Sequence, residues 1–283
     1  MPALVLSPPA RDDTVVIDAT AAPGNKTSHL SALMGNRGKV YAFERDRKRF
    51  STLTMMLSRA GCTNVEPCNA DFLAIDPADP RFSKVTHILV DPSCSGSGIV
   101  NRLDHLLENG SDDQEAQQDR LRKLAAFQLM MIKHAMKFPR AQKIVYSTCS
   151  VHATENEHVV RAALNSDEGL TRGFKLAPPH LVLPKWDRRG IPNELNNPDD
   201  AASLVRCLPT DGTNGFFVSC FLKLPKNEDK RKRAEGSPDR GLDTPEHLLT
   251  RKRKKKKLNQ PSDSRILFEA GFMTYTEAKD RGV

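Results

Sequence analysis

The sequence lacks the features that mark membrane-embedded and exported proteins. Among its 283 residues, no apolar run is long enough to span a bilayer. The opening segment, MPALVLSPPA, has no basic region and too short an apolar stretch for a secretory signal peptide. We therefore expect an intracellular protein that does not associate with membranes.

Motifs for metals, disulfides and phosphate-rich cofactors are also missing. The 6 cysteines form no Cys-x-x-Cys pair, and no Cys/His spacing fits a zinc module, so we predict no metal site. Intracellular chains rarely use disulfides, and each cysteine is by default a small buried apolar side chain. The absence of Gly-x-Gly-x-x-Gly argues against a nicotinamide oxidoreductase. A P-loop is disfavoured because Asn25 separates Gly24 from Lys26.

Charge is concentrated near the end of the sequence. The formal net charge is +8, but residues 226–257 alone hold 13 basic and 6 acidic side chains. From Pro225 onwards Lys, Arg, Glu, Pro and Gly dominate, which predicts a folded domain over 1–224 and a basic, disordered tail over 225–283. The run RKRKKKK at 251–257 is typical of a nuclear import signal or a phosphate-binding tail, and equally of a solvated charge run.

Strand and helix patterns alternate along the folded part. This alternation predicts an α/β fold with a doubly wound, mostly parallel sheet and helices on both faces. A late strand at 215–224 has no helix before it, and we expect it to join antiparallel, paired with a strand near 174–177, in a seven-stranded sheet. The other predicted strands cover 14–19, 39–43, 65–69, 86–90 and 143–147, and the helices cover 25–34, 46–60, 115–137 and 154–164, the last capped by Thr154 with Glu157 three residues on.

A loop of small residues follows the first predicted strand. This loop, DATAAPGNKT at 18–27, would let a ligand approach the backbone at a helix N-terminus. Glu44 ends the second strand, where an acidic side chain can bind both ribose hydroxyls, and Asp71 follows the third strand within reach of an adenine amino group. Each acidic residue alone is as easily a helix cap. Together they predict an adenosine site suited to S-adenosylmethionine.

Two cysteines follow two strands that are expected to be neighbours. The fourth strand runs into DPSCSGSG, which contains Asp91 and Cys94, and the fifth runs into YSTCSV, which contains Cys149. Because ligands bind outside the carboxyl ends of parallel strands, both thiols should face the substrate beside the cofactor. The alternative is a pair of buried, inert thiols, which would leave their matched positions unexplained.

A thiol at this place suits methyl transfer to a pyrimidine. Carbon 5 of the ring is a poor nucleophile, but addition of a thiolate to carbon 6 turns the ring into an enamine that can attack a methyl group. A carboxyl group that holds N3 would stabilise the protonated ring, and Asp91 is placed for that role. A second thiol could then assist release.

The motifs DATAAPGNKTSHL, DPSCSGSG, YSTCSV followed by Glu155-Asn156-Glu157, and GFF at 215–217 resemble those of the Sun-domain (Nop/Sun) RNA 5-methylcytosine methyltransferases. The resemblance is closest to the member-five subgroup, which methylates large-subunit ribosomal RNA. It covers residues 15–224.

The resemblance implies a Rossmann-like class I methyltransferase that uses S-adenosylmethionine. In this family Cys149 would be the nucleophile and Cys94 would promote product release, with Asp91 and Lys26 near the target base. The implied partners are ribosomal RNA and ribosome-assembly factors, for a monomer in the nucleus or nucleolus. The residues implied to contact the cofactor are Thr20, Ala21, Ala22, Pro23, Gly24, Asn25, Lys26, Glu44, Arg49, Asp71 and Asp91.

Two departures from the family pattern affect these expectations. The first motif commonly reads Asp-x-Cys, whereas Thr20 stands at the cysteine position, which we interpret as a packing position. Family members also carry an N-terminal RNA-binding region, whereas Met1 lies just upstream of the first strand. We expect either a shortened chain or RNA capture through a partner. The alternative function is a catalytically weak, RNA-binding ribosome-assembly factor.

Overall fold

The computed structural model describes residues 1–100 and 114–223, which form a mixed α/β fold in one compact unit. The predicted tail at 225–283 and its charge run at 251–257 lie outside the described residues. Within residues 1–100 and 114–223, no helix combines the length and the apolar content needed to cross a bilayer.

One mixed sheet organises the described residues. The strands lie in the order β3-β2-β1-β4-β5-β8-β6, and β7 also pairs with β8. Strands β1 to β5 are parallel, whereas β8 runs antiparallel to β5 and to both β6 and β7. The strands are β1 Val15–Asp18, β2 Lys39–Phe43, β3 Val65–Cys68, β4 Val85–Val90, β5 Lys143–Thr148, β6 Phe174–Leu176, β7 Val205–Cys207 and β8 Phe216–Lys223.

The helices cover both faces of this sheet. They are α1 Pro2–Leu6, α2 Asn25–Leu33, α3 Arg47–Arg59, α4 Gln114–Met136, α5 Glu157–Leu164 and α6 Asp167–Arg172. On one face Ile88 and Ile144 pack in a cluster with Ile132 of α4. On the other face Leu89 and Val145 pack in a cluster that includes residues of α1 and α2. Both faces of the central strands are therefore covered by packed residues, and the predicted doubly wound α/β class is confirmed.

The sheet has eight strands in the described residues, rather than the seven predicted. The late strand does run antiparallel, and its predicted pairing near 174–177 is confirmed, because Leu176 pairs with Phe221. The strand missed from sequence is β7, which pairs with the first part of β8, where Val205 lies opposite Val218. A strand of three residues is too short to establish an alternating pattern.

The predicted start of the helix at 154–164 is wrong. A 3₁₀ turn covers Ala153–Glu155, and α5 begins at Glu157 with Asn156 as its N-cap residue. Thr154 therefore lies inside the turn and does not cap the helix. The short helices α1 and α6 were also missed, because 5 and 6 residues give too little helical periodicity.

Glu157 forms a buried ion pair instead of a capping box. Its carboxylate accepts hydrogen bonds from Arg206 Nε at 2.7 Å and Arg206 Nη2 at 2.6 Å, and the two residues are 0% and 5% exposed. Arg206 Nη1 also donates to the backbone oxygen of Val151 at 2.9 Å. This pair therefore ties β7 to the loop that follows β5.

Replacing Arg206 with Met should destabilise the fold strongly. The substitution leaves Glu157 buried without its cation, and breaking such a pair costs about 3–5 kcal/mol. Urea denaturation measures the free energy of unfolding, and the double variant R206M/E157Q should recover most of the loss. The control is Arg188→Ala, which removes an exposed ion pair with Asp211 and should cost much less. Equal losses for R206M and R188A would contradict the prediction.

Candidate active site

A cavity of about 580 Å³ lies at the carboxyl ends of the parallel strands. It is bounded by residues that follow β1, β2, β3, β4 and β5, which is where a doubly wound sheet binds ligands. Ten of the predicted site residues line it: Thr20, Ala22, Pro23, Lys26, Glu44, Arg49, Asp71, Asp91, Cys94 and Cys149.

Three predicted cofactor residues do not line this cavity. Ala21 is buried, and its backbone N–H donates to the oxygen of Phe43 at 2.8 Å. Gly24 precedes α2 with φ +116°, a conformation that favours glycine, and a Cβ there would lie 3.3 Å from Leu53 and Met56. Asn25 is the first residue of α2. These residues shape the loop, and the loop brings its neighbours to the cavity.

Asp18 holds the loop after β1 through hydrogen bonds and was not among the predicted site residues. It is 1% exposed, and its carboxyl accepts from Thr27 Oγ1 at 2.8 Å and from the Thr20 N–H at 3.3 Å. Burial raises the pKa of Asp18 to about 6, although these hydrogen bonds oppose the shift. The sequence signal was an Asp at the end of an apolar strand, which is ambiguous because such residues often cap helices.

Glu44 and Arg49 form the wall that follows β2. Glu44 is 6% exposed, and its Oε1 accepts from the Asp46 N–H at 2.9 Å. Arg49 Nη1 lies 3.3 Å from Glu44 Oε2, and Arg49 Nη2 donates to the oxygen of Ala22 at 2.8 Å. Arg49 therefore connects the acidic end of β2 to the small-residue loop.

Asp71 follows β3 at the same edge and makes two contacts of its own. Its Oδ1 accepts from the Leu73 N–H at 2.9 Å, which caps the 3₁₀ turn Phe72–Ala74. Its Oδ2 lies 3.6 Å from Arg45 Nη1. The structure thus brings Asp71 to the cavity wall, and it also gives this residue the capping role that was the alternative interpretation.

The two cysteines are in direct contact. Cys94 Sγ lies 2.9 Å from Cys149 Sγ, and both side chains are half-buried free thiols. The hydrogen bond from Cys94 lowers the pKa of Cys149 to about 7, against the effects of burial and of the Asp91 charge. The same contact, together with burial, raises the pKa of Cys94 well above its usual range. Near neutral pH, Cys149 is therefore the thiol that ionises and Cys94 is the one that keeps its proton.

Asp91 lies beside the thiols in a polar network. Lys26 Nζ is 2.6 Å from Asp91 Oδ2, and Ser147 Oγ donates to Asp91 Oδ1. Burial works against the charge on Lys26, but the nearby Asp91 carboxylate prevails and raises the pKa of the lysine. The Asp91 N–H donates to Thr20 Oγ1 at 3.1 Å, so Thr20 has a polar role where the sequence indicated packing.

Gly98 and Gly215 let the loop after β4, which carries Cys94, come close to the start of β8. The Gly98 N–H donates to the oxygen of Cys149 at 2.9 Å, and the Gly215 N–H donates to the oxygen of Gly98 at 2.7 Å. A Cβ added at Gly98 would lie 2.5 Å from the Gly215 oxygen. No larger residue fits between these backbones, so the three segments can meet only with glycine at this position.

The arrangement suits covalent chemistry beside an adenosine-type ligand. A thiol that ionises near neutral pH supplies a nucleophile, and a proton-bearing thiol and a Lys–Asp pair stand next to it. The carboxylates of Glu44 and Asp71 offer acceptors for hydroxyl and amino groups. Because Lys26 and Arg49 are paired with acidic residues, the cavity fits a nucleoside better than a polyphosphate.

Comparison with protein families gives one match that spans most of the chain. The model of the family described as 16S rRNA methyltransferase RsmB/F matches residues 3–222. This range contains all of the predicted site residues.

Two curated relatives are similar at more than 40% identity. The chain is 43% identical over 228 residues to the 25S rRNA (cytosine-C(5))-methyltransferase NSUN5 of Arabidopsis thaliana, with 80% of this chain and 38% of that protein covered. It is 44% identical over 222 residues to the 28S rRNA (cytosine-C(5))-methyltransferase of Mus musculus, with 78% and 44% covered. The chain therefore spans less than half the length of these relatives.

Two solved structures from Pyrococcus horikoshii share the fold. A methyltransferase homolog protein matches with a TM-score of 0.59 and 30% identity, over 79% of this chain and 65% of that one. NSun6, solved with SFG, matches with a TM-score of 0.58 and 27% identity, over 80% and 52%.

Replacing Asp18 with Asn should change how stability depends on pH. The folded protein keeps the Asp18 proton up to a pKa of about 6, whereas an unfolded Asp loses it near 3.8. The folded state thus binds more protons, and this stabilisation, complete below about pH 4, is lost as the pH rises through 6. Relative to D18N, the free energy of unfolding of the unmodified protein should fall by about 2 kcal/mol from pH 4 to pH 7.

Urea denaturation across this pH range measures the difference. The control is Asp119→Asn on α4, an exposed carboxylate whose removal should leave the pH dependence parallel to that of the unmodified protein. A D18N curve that is also parallel would show that Asp18 is already ionised in the folded state.

Proposed function

The chain belongs to the 16S rRNA methyltransferase RsmB/F family, and from that premise we propose that it catalyses S-adenosylmethionine-dependent methylation of cytosine carbon 5 in large-subunit ribosomal RNA. The choice of base and RNA is supported by relatives that are named 25S and 28S rRNA (cytosine-C(5))-methyltransferases. The reaction type is supported by one observation above all, the contact between Cys94 and Cys149 beside the Asp91–Lys26 pair.

Cys149 begins the reaction in this proposal. Its thiolate adds to carbon 6 of cytosine, forming an S–C bond as the electrons of the C5=C6 double bond shift towards N3. N3 takes up a proton from water and gives it back when the ring is released. Asp91 holds the N3 edge of the base and stabilises the protonated ring, and Lys26 keeps Asp91 in place. S-adenosylmethionine would supply an electrophilic methyl group, which carbon 5 would take up as the sulfonium S–CH3 bond breaks and S-adenosylhomocysteine leaves.

Release requires two further bonds to break. The carbon 5 proton leaves to a base, and its electron pair restores the ring double bond as the C6–S bond breaks. The electrons of that bond return to Cys149 as a thiolate. Cys94 assists because its S–H donates to the departing sulfur, which lies 2.9 Å away. The raised pKa of Cys94 supports this direction of donation. In this way Cys94 lowers the cost of expelling the thiolate.

The cofactor is held by the loop and strand ends that surround the cavity. Glu44 binds the ribose hydroxyls and Asp71 reaches the adenine amino group. The remainder is contacted by Asp91 and by the loop residues that line the cavity, which are Thr20, Ala22, Pro23 and Lys26. Arg49 contributes by fixing Glu44 against the Ala22 backbone. The proposal is supported by the volume of the cavity and by the order of these groups along its wall.

The cellular setting follows from the RNA substrate. Ribosomal RNA is the named substrate of the relatives, and the chain carries the basic run RKRKKKK at 251–257. These two observations support the proposal that the protein acts in the nucleus, in particular the nucleolus. The proposal also takes the protein to be a monomer that works beside ribosome-assembly factors.

Replacing Cys149 with Ala should abolish methyl transfer, because Cys94, the other thiol that lines the cavity among the described residues, has a raised pKa and keeps its proton. Transfer of labelled methyl from S-adenosylmethionine to ribosomal RNA fragments should fall by at least about 1,000-fold. The control is Cys62→Ala, a half-buried cysteine outside the cavity wall, which should leave transfer unchanged. If C149A transfers methyl as fast as the unmodified protein, Cys149 is not the nucleophile. An unmodified full chain that binds the RNA without turnover would favour the assembly-factor alternative.

Replacing Cys94 with Ala should trap the covalent intermediate. Attack by Cys149 remains possible, but its departure loses the proton donor, so protein and RNA stay joined. Denaturing electrophoresis should reveal a shifted band that RNase removes, and that band should be absent from C94A/C149A. If C94A turns over at the unmodified rate without an adduct, Cys94 is not the release group.

A further inference from the structure

A buried carboxylate lies behind the two thiols and takes no part in the chemistry above. Glu155 is 0% exposed, and its Oε1 accepts from the Ser95 N–H and from Gln128 Nε2, each at 2.9 Å. Its Oε2 accepts from Ser95 Oγ at 2.6 Å. A buried carboxylate is costly unless donors satisfy it, and here three neutral donors do so.

Glu155 and Gln128 fix the chain on both sides of Cys94. Ser95, which follows the cysteine, is held through both its N–H and its hydroxyl. Ser93, which precedes it, accepts from Gln128 Nε2 at 3.1 Å through its backbone oxygen. Hydrogen bonds to a charged acceptor are stronger than neutral ones. The backbone at Cys94 is therefore clamped, and the thiol is the part of the residue left to contact Cys149.

The same two residues also reach the strand that carries the nucleophile. The Tyr146 hydroxyl, on β5, lies in hydrogen-bonding contact with the backbone oxygen of Glu155 and 3.0 Å from Gln128 Oε1. Burial raises the pKa of Tyr146, so the hydroxyl keeps its proton and remains a donor. Gln128 itself is 0% exposed on α4. A network that begins at the Cys94 loop thus ends on β5, just before Cys149.

We propose that Glu155 and Gln128 are positioning residues that hold Cys94 against Cys149 and so control release of the RNA product. The part that concerns release rests on the proposed function, whereas the part that concerns the two thiols does not. Neither residue touches the reacting atoms, so both act through Cys94. If the clamp is loosened, Cys149 loses the donor that favours its thiolate, and the adduct loses the proton that assists its breakdown.

Glu155→Gln is the sharpest test, because it preserves the size of the side chain. The amide nitrogen cannot accept from the Ser95 hydroxyl, so that hydroxyl must turn and accept instead, and the bonds to the loop lose their charged acceptor. Alkylation of Cys149 by iodoacetamide, followed by mass spectrometry across pH, measures the thiolate fraction without RNA or cofactor. The pKa of Cys149 should move from about 7 towards that of a free thiol, about 8.5. Alkylation at pH 7 should then slow about tenfold.

A double-variant cycle separates positioning from a general loss of structure. Cys94→Ala alone should shift the alkylation profile in the same direction as E155Q. Adding E155Q to C94A should cause no further shift, because the effect is transmitted through Cys94. The matched control is Glu168→Gln, which removes a carboxylate that pairs with Lys133 of α4 and with Lys137, just beyond that helix. Its profile should equal that of the unmodified protein.

The outcomes distinguish this proposal from the proposed function. An unmodified alkylation profile in E155Q, or a further shift in E155Q/C94A, would overturn the positioning role. A shifted profile with no methyl transfer by the unmodified chain would support positioning and reject the methyltransferase proposal. With transfer present, E155Q should accumulate the RNase-sensitive adduct, as C94A does. If E155Q fails to fold by circular dichroism, Gln128→Met removes the bond to Ser93 and must give the same shift.

Discussion

The parallel pairing of β4 with β5 is the contact on which the reactive edge depends. Val90, the last residue of β4, lies opposite Tyr146, and β5 continues to Thr148, so the segments that follow the two strands leave the same edge of the sheet. This register brings Cys94 and Cys149 to a sulfur–sulfur distance of 2.9 Å, although they lie 55 residues apart. Slippage of one strand by a single residue would turn each side chain to the opposite face of the sheet. The register therefore sets the chemistry as well as the packing.

Features encoded by neighbouring residues, such as strands and strand ends, could be predicted from the sequence, whereas contacts between distant segments could not. Central parallel strands are buried on both faces, so runs such as VTHILV at 85–90 are rich in apolar and β-branched residues, and the positions after them line the cavity. The contacts that were missed join distant segments. Arg206 pairs with Glu157 across 49 residues, and Glu155 reaches Ser95 across 60. No periodicity marks such partners, and a Glu near a helix start has a capping interpretation that competes with them.

Charge has been buried around the reactive edge at a cost in stability. Asp18 is hydrogen-bonded to the small-residue loop after β1, Glu155 to the segment that follows Cys94, and the Glu157–Arg206 pair to the loop after β5. Apolar residues of equal size would cost less to bury. Each of these groups instead fixes a backbone segment in one position through several directed hydrogen bonds. Stability is thus exchanged for a rigid constellation around two thiols, which catalysis requires more than the fold does.

The antiparallel entry of β8 has a consequence for the order in which the protein becomes competent during synthesis. Both thiols have been made once the ribosome has passed Cys149, but Gly215 and the start of β8, where Phe217 pairs with Thr148, come much later. Until then β5 is an open edge and the Gly98 oxygen lacks its partner. A nascent chain therefore contains Cys94 and Cys149 before it contains β8. The contacts of β8 with β5 and of Gly215 with Gly98 form only after that strand has been synthesised.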